Sequence, residues 1–271
     1  MPTQADKGRA FRALHERDHA FISPNPFNIG TARVLASMGF EALASTSMGY
    51  AFTQGKPDYG LTRDEVFAHL RTIASATDLP VSADLENGFG HDPNTVAETI
   101  RLSAETGIVG GSIEDSTGNP DAPIYSIDDA VTRVKAAVEA ARALPFDYTL
   151  TARCENYLHG REDLADTITR LKAYGDAGAD VLYAPGLETR EDITAVCEAL
   201  KKPVNVLGTF TDFSLDELSS MGVKRITVGS SLMLSAISAF YRGAQEMKEH
   251  GTFTFGGNAV PSSTFTKIFT S

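Results

Sequence analysis

Short apolar runs alternate with longer amphipathic stretches along almost the whole chain. The runs Ala20–Ile22, Ala42–Ser45, Pro80–Asp84 and Val109–Glu114 read as buried strands. So do Tyr148–Arg153, Val181–Ala184, Val204–Leu207 and Arg225–Val228. Between them, residues 63–76, 93–106, 127–143, 161–177, 190–200, 215–221 and 231–250 carry apolar side chains at helical spacing. Thr62, Asp92, Ser126 and Ser214 stand where N-caps belong. Gly39, Gly107, Gly178 and Gly222 stand where helices stop.

About eight strand–helix units predict a (β/α)₈ barrel in a single domain over residues 1–271. The rival is an open doubly wound sheet. Its Gly-rich phosphate loop would follow the first strand, where Ser23-Pro24-Asn25-Pro26 stands instead. Residues 251–271 hold Phe253, Phe255, Phe265 and Phe269, so this tail is expected to pack on the barrel or on a neighbouring subunit.

Charge narrows the partners. The 24 basic and 35 acidic residues leave a net charge of −11, which argues against a nucleic-acid or anionic-membrane surface. No stretch reaches the ~20 apolar residues of a membrane span, and residues 1–10 carry no apolar signal core. Cys154 and Cys197 match neither a disulfide framework nor a zinc motif. A cytoplasmic protein is expected.

The candidate chemistry lies where strands end. The third, fourth and fifth candidate strands deliver Asp84 and Glu86, Glu114 and Asp115, and Arg153 and Glu155 to one rim. Carboxylates gathered this way repel unless a cation neutralises them or some take up protons. Mg²⁺, with Mn²⁺ as a substitute, suits an all-oxygen site and needs few direct ligands. Asp84, Glu86 and Glu114 are its candidate ligands, and Arg153 would hold a substrate carboxylate. The plainer alternative is that the acids are solvated loop residues or caps. Thr46, Ser47, Met48 and Gly49 after the second strand read either as an ordinary turn or as a backbone cradle for an anionic oxygen. Asp58, in Gly55-Lys56-Pro57-Asp58-Tyr59-Gly60, either faces the acids or caps a helix. His91 and His159 fall on rim loops, His69 and His250 on helix surfaces, and Cys154 reads as packing.

These residues resemble the isocitrate lyase and phosphoenolpyruvate mutase superfamily over nearly the whole chain. The resemblance is carried by Asn25-Pro26, Thr31-Ala32-Arg33, Gly39-Phe40-Glu41-Ala42, Thr46-Ser47 and Gly55-Lys56-Pro57-Asp58. It continues through residues 83–90, Ile113-Glu114-Asp115 and Thr151-Ala152-Arg153. It implies a barrel whose last helix is exchanged between subunits in a dimer of dimers. It also implies Mg²⁺ near Asp84, with Glu86 and Glu114 acting partly through water, and a 2-oxo acid cradled at Ser47 and Gly49. Family members often carry aspartate where Glu86 stands, and a smaller residue where Met48 stands. The lyases carry a Cys-containing mobile loop after the fourth strand. Here Ser116–Tyr125 has no Cys, Lys or His, and only Asn119 matches a mutase loop residue.

The resemblance therefore implies chemistry through the enolate of a 2-oxo acid. The leading expectation is a C–C bond lyase of the oxaloacetate decarboxylase kind, with Tyr50, Tyr125 or His159 helping protonation. P–C bond chemistry (a phosphonomutase or phosphonopyruvate hydrolase) and a non-catalytic 2-oxo acid binder are the alternatives.

Overall fold

The computed structural model describes residues 2–270. Eight parallel strands form the centre: β1 Phe21–Ile22, β2 Leu43–Ala44, β3 Val81–Asp84, β4 Gly110–Glu114, β5 Thr149–Arg153, β6 Val181–Tyr183, β7 Val204–Leu207 and β8 Arg225–Thr227. The ladder runs β1-β8-β7-β6-β5-β4-β3-β2. Its two ends meet where the Ala44 N–H donates to the Pro24 carbonyl at 3.0 Å. Asn25 ties the same seam. Its Nδ2 donates to the Ser45 carbonyl at 2.8 Å, and its Oδ1 accepts from the Val228 N–H at 2.9 Å. The fold is an α/β barrel, and the expected strands agree with the observed ones to within one or two residues at each end.

The helices are α1 Gln4–His15, α2 Ile29–Ser37, α3 Ser47–Thr53, α4 Arg63–Ala76, α5 Pro93–Ala104 and α6 Ile127–Arg142. They continue as α7 Leu164–Asp176, α8 Arg190–Ala199, α9 Leu215–Ser220, α10 Ser231–His250 and α11 Ser262–Thr270. Thr62, Asp92, Ser126 and Ser214 each accept a backbone N–H as N-caps of α4, α5, α6 and α9. Thr62 and Ser214 form full capping boxes, each satisfying two orphan donors. Gly107 and Gly178 turn the chain at φ +92° and +106°, a region that disfavours other residues.

Between strands and helices lies an apolar shell that includes Leu70, Ile73, Ile100, Ile108, Leu150 and Leu171, all fully buried. Each contributes roughly 1.5–3 kcal/mol by leaving water. Helix α1 closes the barrel floor with Phe11, which packs with Leu14, Phe21, Ala42 and Val109. Gly110 permits this approach, because a Cβ there would meet Phe11 Cε1 at 3.0 Å and the Thr149 carbonyl at 2.8 Å. Helix α11 contacts α2 of the same chain. Phe240, Tyr241, Phe253 and Phe255, on α10 and the segment after it, are exposed. Among the described residues no helix is long and apolar enough to cross a membrane.

Candidate active site

Parallel strands all point the same way, so the C-terminal ends of β3, β4 and β5 bring their last residues together. Arg153 ends β5 and sits among three carboxylates. Its Nη1 lies 2.9 Å from Asp84 Oδ1, its Nη2 3.3 Å from Glu114 Oε2, and its Nε 2.8 Å from Glu155 Oε1. Burial works against this charge, but Glu155, Glu114 and Asp84 together hold the guanidinium firmly protonated. Nε and Nη1 each donate one hydrogen bond, to Glu155 and Asp84, while Nη2 meets Glu114 as an ion pair only, so three of the five N–H groups are left.

The acids outnumber that cation. Burial pushes the Glu114 carboxyl well up from its usual range, against Arg153, and Glu155 and Asp84 push it further. Burial raises Glu155 as well. Glu86 is 5% exposed and its Oε1 has no hydrogen-bond partner. Burial first, then the charges of Asp84 and Asp58, push its carboxyl up to about 8. Asp58 lies on an exposed loop, yet partial desolvation and then Asp84 raise its carboxyl too. Glu86 and Tyr59 both adopt left-handed backbone, at φ +50° and +57°, a strained state for residues with a Cβ. The Tyr59 hydroxyl donates to Glu114 Oε1.

Small residues after β2 build the first turn of α3. Thr46 is its N-cap and accepts from the Gly49 N–H. The Ser47 N–H and hydroxyl both donate to Asp84 Oδ2, at 3.1 and 2.8 Å. This turn therefore holds the Asp84 carboxylate at a helix N-terminus, where the dipole favours it.

These residues line a cavity of about 540 Å³ at the C-terminal end of the barrel. Asp58, Asp84, Glu114, Arg153, Thr46, Ser47 and Met48 all face it. Other expected residues lie elsewhere. Tyr50 is outside the cavity, stacked on His69 with ring centroids 3.8 Å apart. His69 is buried beneath it, not on the surface. Gly49 and Glu86 lie behind the lining, and Asn119 is exposed on a hairpin joined by the Ser116–Ile124 bridge. Tyr125 and His91 bond each other at 2.5 Å away from the cavity, whereas His159 lines it. Glu155, expected on the rim, faces the cavity too, and so do Tyr59, Asn205 and Arg225, which were not among the expected site residues. A larger hollow of about 620 Å³ lies at the opposite end. Three of its arginines are already paired, Arg9 with Asp6, Arg12 with Glu16 and Asp147, and Arg142 with Asp180.

The rim fits a hard divalent cation by donor chemistry. On its acidic side it offers the carboxylate oxygens of Asp58, Asp84 and Glu114 and the Ser47 hydroxyl, carries excess negative charge, and has the orphaned Oε1 of Glu86 behind it. Among the described residues no three His, Cys, Asp or Glu side chains converge closely enough to form a metal site alone. A cation here would keep several waters, as Mg²⁺ does.

Fold and rim define a parallel α/β barrel with an acidic, arginine-clamped active face. The chain belongs to the phosphoenolpyruvate phosphomutase family, whose pattern matches residues 11–248. It is 29% identical to the 2-methylisocitrate lyase of Escherichia coli K12 over 261 residues, covering 90% of this chain and 86% of that one. It is 26% identical to oxaloacetate decarboxylase 1 of Pseudomonas fluorescens Pf0-1, covering 90% and 86% respectively. A solved structure of a candidate lyase/mutase from Burkholderia cenocepacia J2315 superposes with a TM-score of 0.96 at 59% identity, covering 99% of this chain and 97% of that one.

Proposed function

We infer that this enzyme is a Mg²⁺-dependent C–C bond lyase that acts on a small 2-oxo acid through its enolate, in the manner of an oxaloacetate decarboxylase. The observation that carries the reading is the surplus of carboxyls around Arg153, with one oxygen of Glu86 left unpaired. Asp84, Glu86 and Glu114 would hold the cation, Glu86 and Glu114 partly through water. When bound, Mg²⁺ supplies Lewis-acid stabilisation of negative charge developing on the 2-oxo oxygen. The remaining N–H groups of Arg153 receive a substrate carboxylate. Ser47 keeps Asp84 oriented, and Tyr59 keeps Glu114 oriented.

With oxaloacetate, the bond between C3 and the distal carboxylate breaks and CO₂ leaves. The electron pair passes into the enolate, and a proton then reaches C3 to give pyruvate. That step needs an electron sink but no strong acid at the departing group, which suits a 116–125 loop without Cys, Lys or His. His159, on the cavity wall, is the proposed route for the proton or its water. The names of the Escherichia coli and Pseudomonas fluorescens relatives, a lyase and a decarboxylase, support C–C cleavage. P–C chemistry would call for cations near the 116–125 loop, and that loop holds no Lys or Arg.

The proposed assembly is a dimer of dimers in which residues 251–271 meet a neighbour, supported by the exposed aromatics of α10 and the tail. Light scattering checks it.

The test of function is pyruvate release from oxaloacetate with Mg²⁺, native protein against Asp84→Ala. Saturable turnover lost with chelator and in the variant supports the reading. Equal rates in the two proteins would refute it for oxaloacetate. Tight ligand binding without turnover over a panel of 2-oxo acids would point to a binder instead.

A further inference from the structure

Arg225 begins β8 and is 4% exposed, yet it forms part of the cavity wall. Its Nε donates to Asn205 Oδ1 and its Nη2 to Thr151 Oγ1, both at 2.9 Å. Both acceptors are uncharged. Its Nη1 is buried and has no partner. Among the described residues no carboxylate stands within ion-pair distance of it, although Arg153 in the same cavity has three. Burial, opposed by Tyr183 and joined by the Arg153 charge, holds its pKa down to about 10, so it is still a cation at neutral pH.

A buried charge without a counter-ion is costly to keep. The barrel interior makes room for one. Ser82, Ser112 and Thr151 face the inside where barrels of this class usually carry bulky aliphatic residues. Phe11 seals the floor beneath, with its ring 5.9 Å from the guanidinium carbon. Ser23 Oγ is a second buried polar atom without a partner. It lies two residues beyond Phe21, which pairs with Arg225 across β1 and β8.

We propose that Arg225, held by Asn205 and Thr151, is the seat for a second carboxylate, the distal acid group of a 2-oxo dicarboxylic substrate. This rests on the 2-oxo acid reading and narrows its substrate class. The unpaired donor is a single terminal nitrogen, which suits a flat monoanionic carboxylate. A phosphonate dianion has three oxygens and a second charge to satisfy, more than one terminal nitrogen can. A charge held by Arg225 is held in the ground state. When that carboxylate departs as CO₂ the contact is lost, so removing Arg225 raises KM without lowering kcat.

The test is calorimetric binding in the presence of Mg²⁺, using pyruvate, 3,3-difluorooxaloacetate and phosphonopyruvate. The proteins are the native chain, Arg225→Gln and Arg225→Lys. The Gln variant is expected to lose about tenfold to a hundredfold in affinity for the dicarboxylate, the usual size of a charged hydrogen bond. Pyruvate binding should change by less than about twofold, and Lys should restore most of the loss. Equal losses for both ligands, no loss, or tighter binding of phosphonopyruvate than of the dicarboxylate would overturn the proposal. If Arg225→Gln fails to give a cooperative melt, the native protein decides: a dicarboxylate preference over pyruvate of about tenfold supports the seat, and none overturns it. Failure of the native protein to bind any of the three removes the 2-oxo acid reading itself, a result distinct from binding without preference.

Discussion

Replacing Glu86 with Gln should stabilise the protein in the absence of Mg²⁺, although it alters a buried residue of the candidate site. In the fold the Glu86 carboxyl is pushed up to about 8, from 4.5. A group with a raised folded-state pKa contributes its full stability below 4.5 and loses it as pH rises towards 8. At pH 7 the unfolded chain ionises freely, whereas the fold resists. The penalty is then about 3 kcal/mol, shrinking to roughly 1 kcal/mol at pH 5. Glutamine carries no charge and escapes it, though its amide inherits the unpaired position of Oε1. For a chain of this size the gain is worth roughly 5–10 °C in Tm at pH 7. The assay is thermal unfolding of native protein and Glu86→Gln at pH 5 and pH 7.5, with chelator and with Mg²⁺. Native protein should gain Tm on acidification in chelator, and Mg²⁺ should abolish much of that dependence by taking the ionised form. The variant should respond weakly to both. A variant less stable than native at pH 7.5 in chelator, or one stabilised by Mg²⁺ as strongly as native, would refute the reasoning.

Tyr59→Phe removes the hydroxyl that donates to buried Glu114 and should cost about 1–3 kcal/mol, read as a lower Tm at neutral pH. Asn25→Ala removes both side-chain bonds across the seam between β1 and its neighbours, so faster amide exchange at Val228 is expected, with exchange in α6 unaltered. Ile100→Ala empties a fully buried position of α5 and should cost about 2–5 kcal/mol by denaturant unfolding, with oxaloacetate KM unchanged.

Helices with strong caps were legible in the sequence, because Thr62 and Ser214 announce their own starts. Helix α1 was not foreseen. Its buried residues Gly8, Phe11, Leu14 and His15 are few and are diluted by charged neighbours, although their spacing is helical. Helix α3 begins three residues after β2 and looked like a turn, so Tyr50 was expected near substrate when the helix carries it onto His69. The acids at the ends of β3 and β4 were legible because strand ends in a barrel share one rim. Arg153 was expected to be free for substrate, but sequence spacing does not reveal how many carboxylates converge on one guanidinium. Tyr59 reaches Glu114 through a left-handed residue in a loop, and no periodicity signals that. Arg225 did leave a signal, a charge inside a candidate buried strand, but Lys224 before it gives the pair the look of an ordinary solvated strand start.

The central claim is that the acidic rim, loaded with Mg²⁺, makes enolates of 2-oxo acids whichever bond the enzyme goes on to break. Exchange of the pyruvate methyl protons for deuterium, followed by NMR in D₂O, tests this without presuming the substrate. Native protein with Mg²⁺ should exchange them well above the buffer rate, and chelator or Asp84→Ala should return the rate to background. Exchange that is no faster than buffer, or that persists undiminished in Asp84→Ala, would contradict the account.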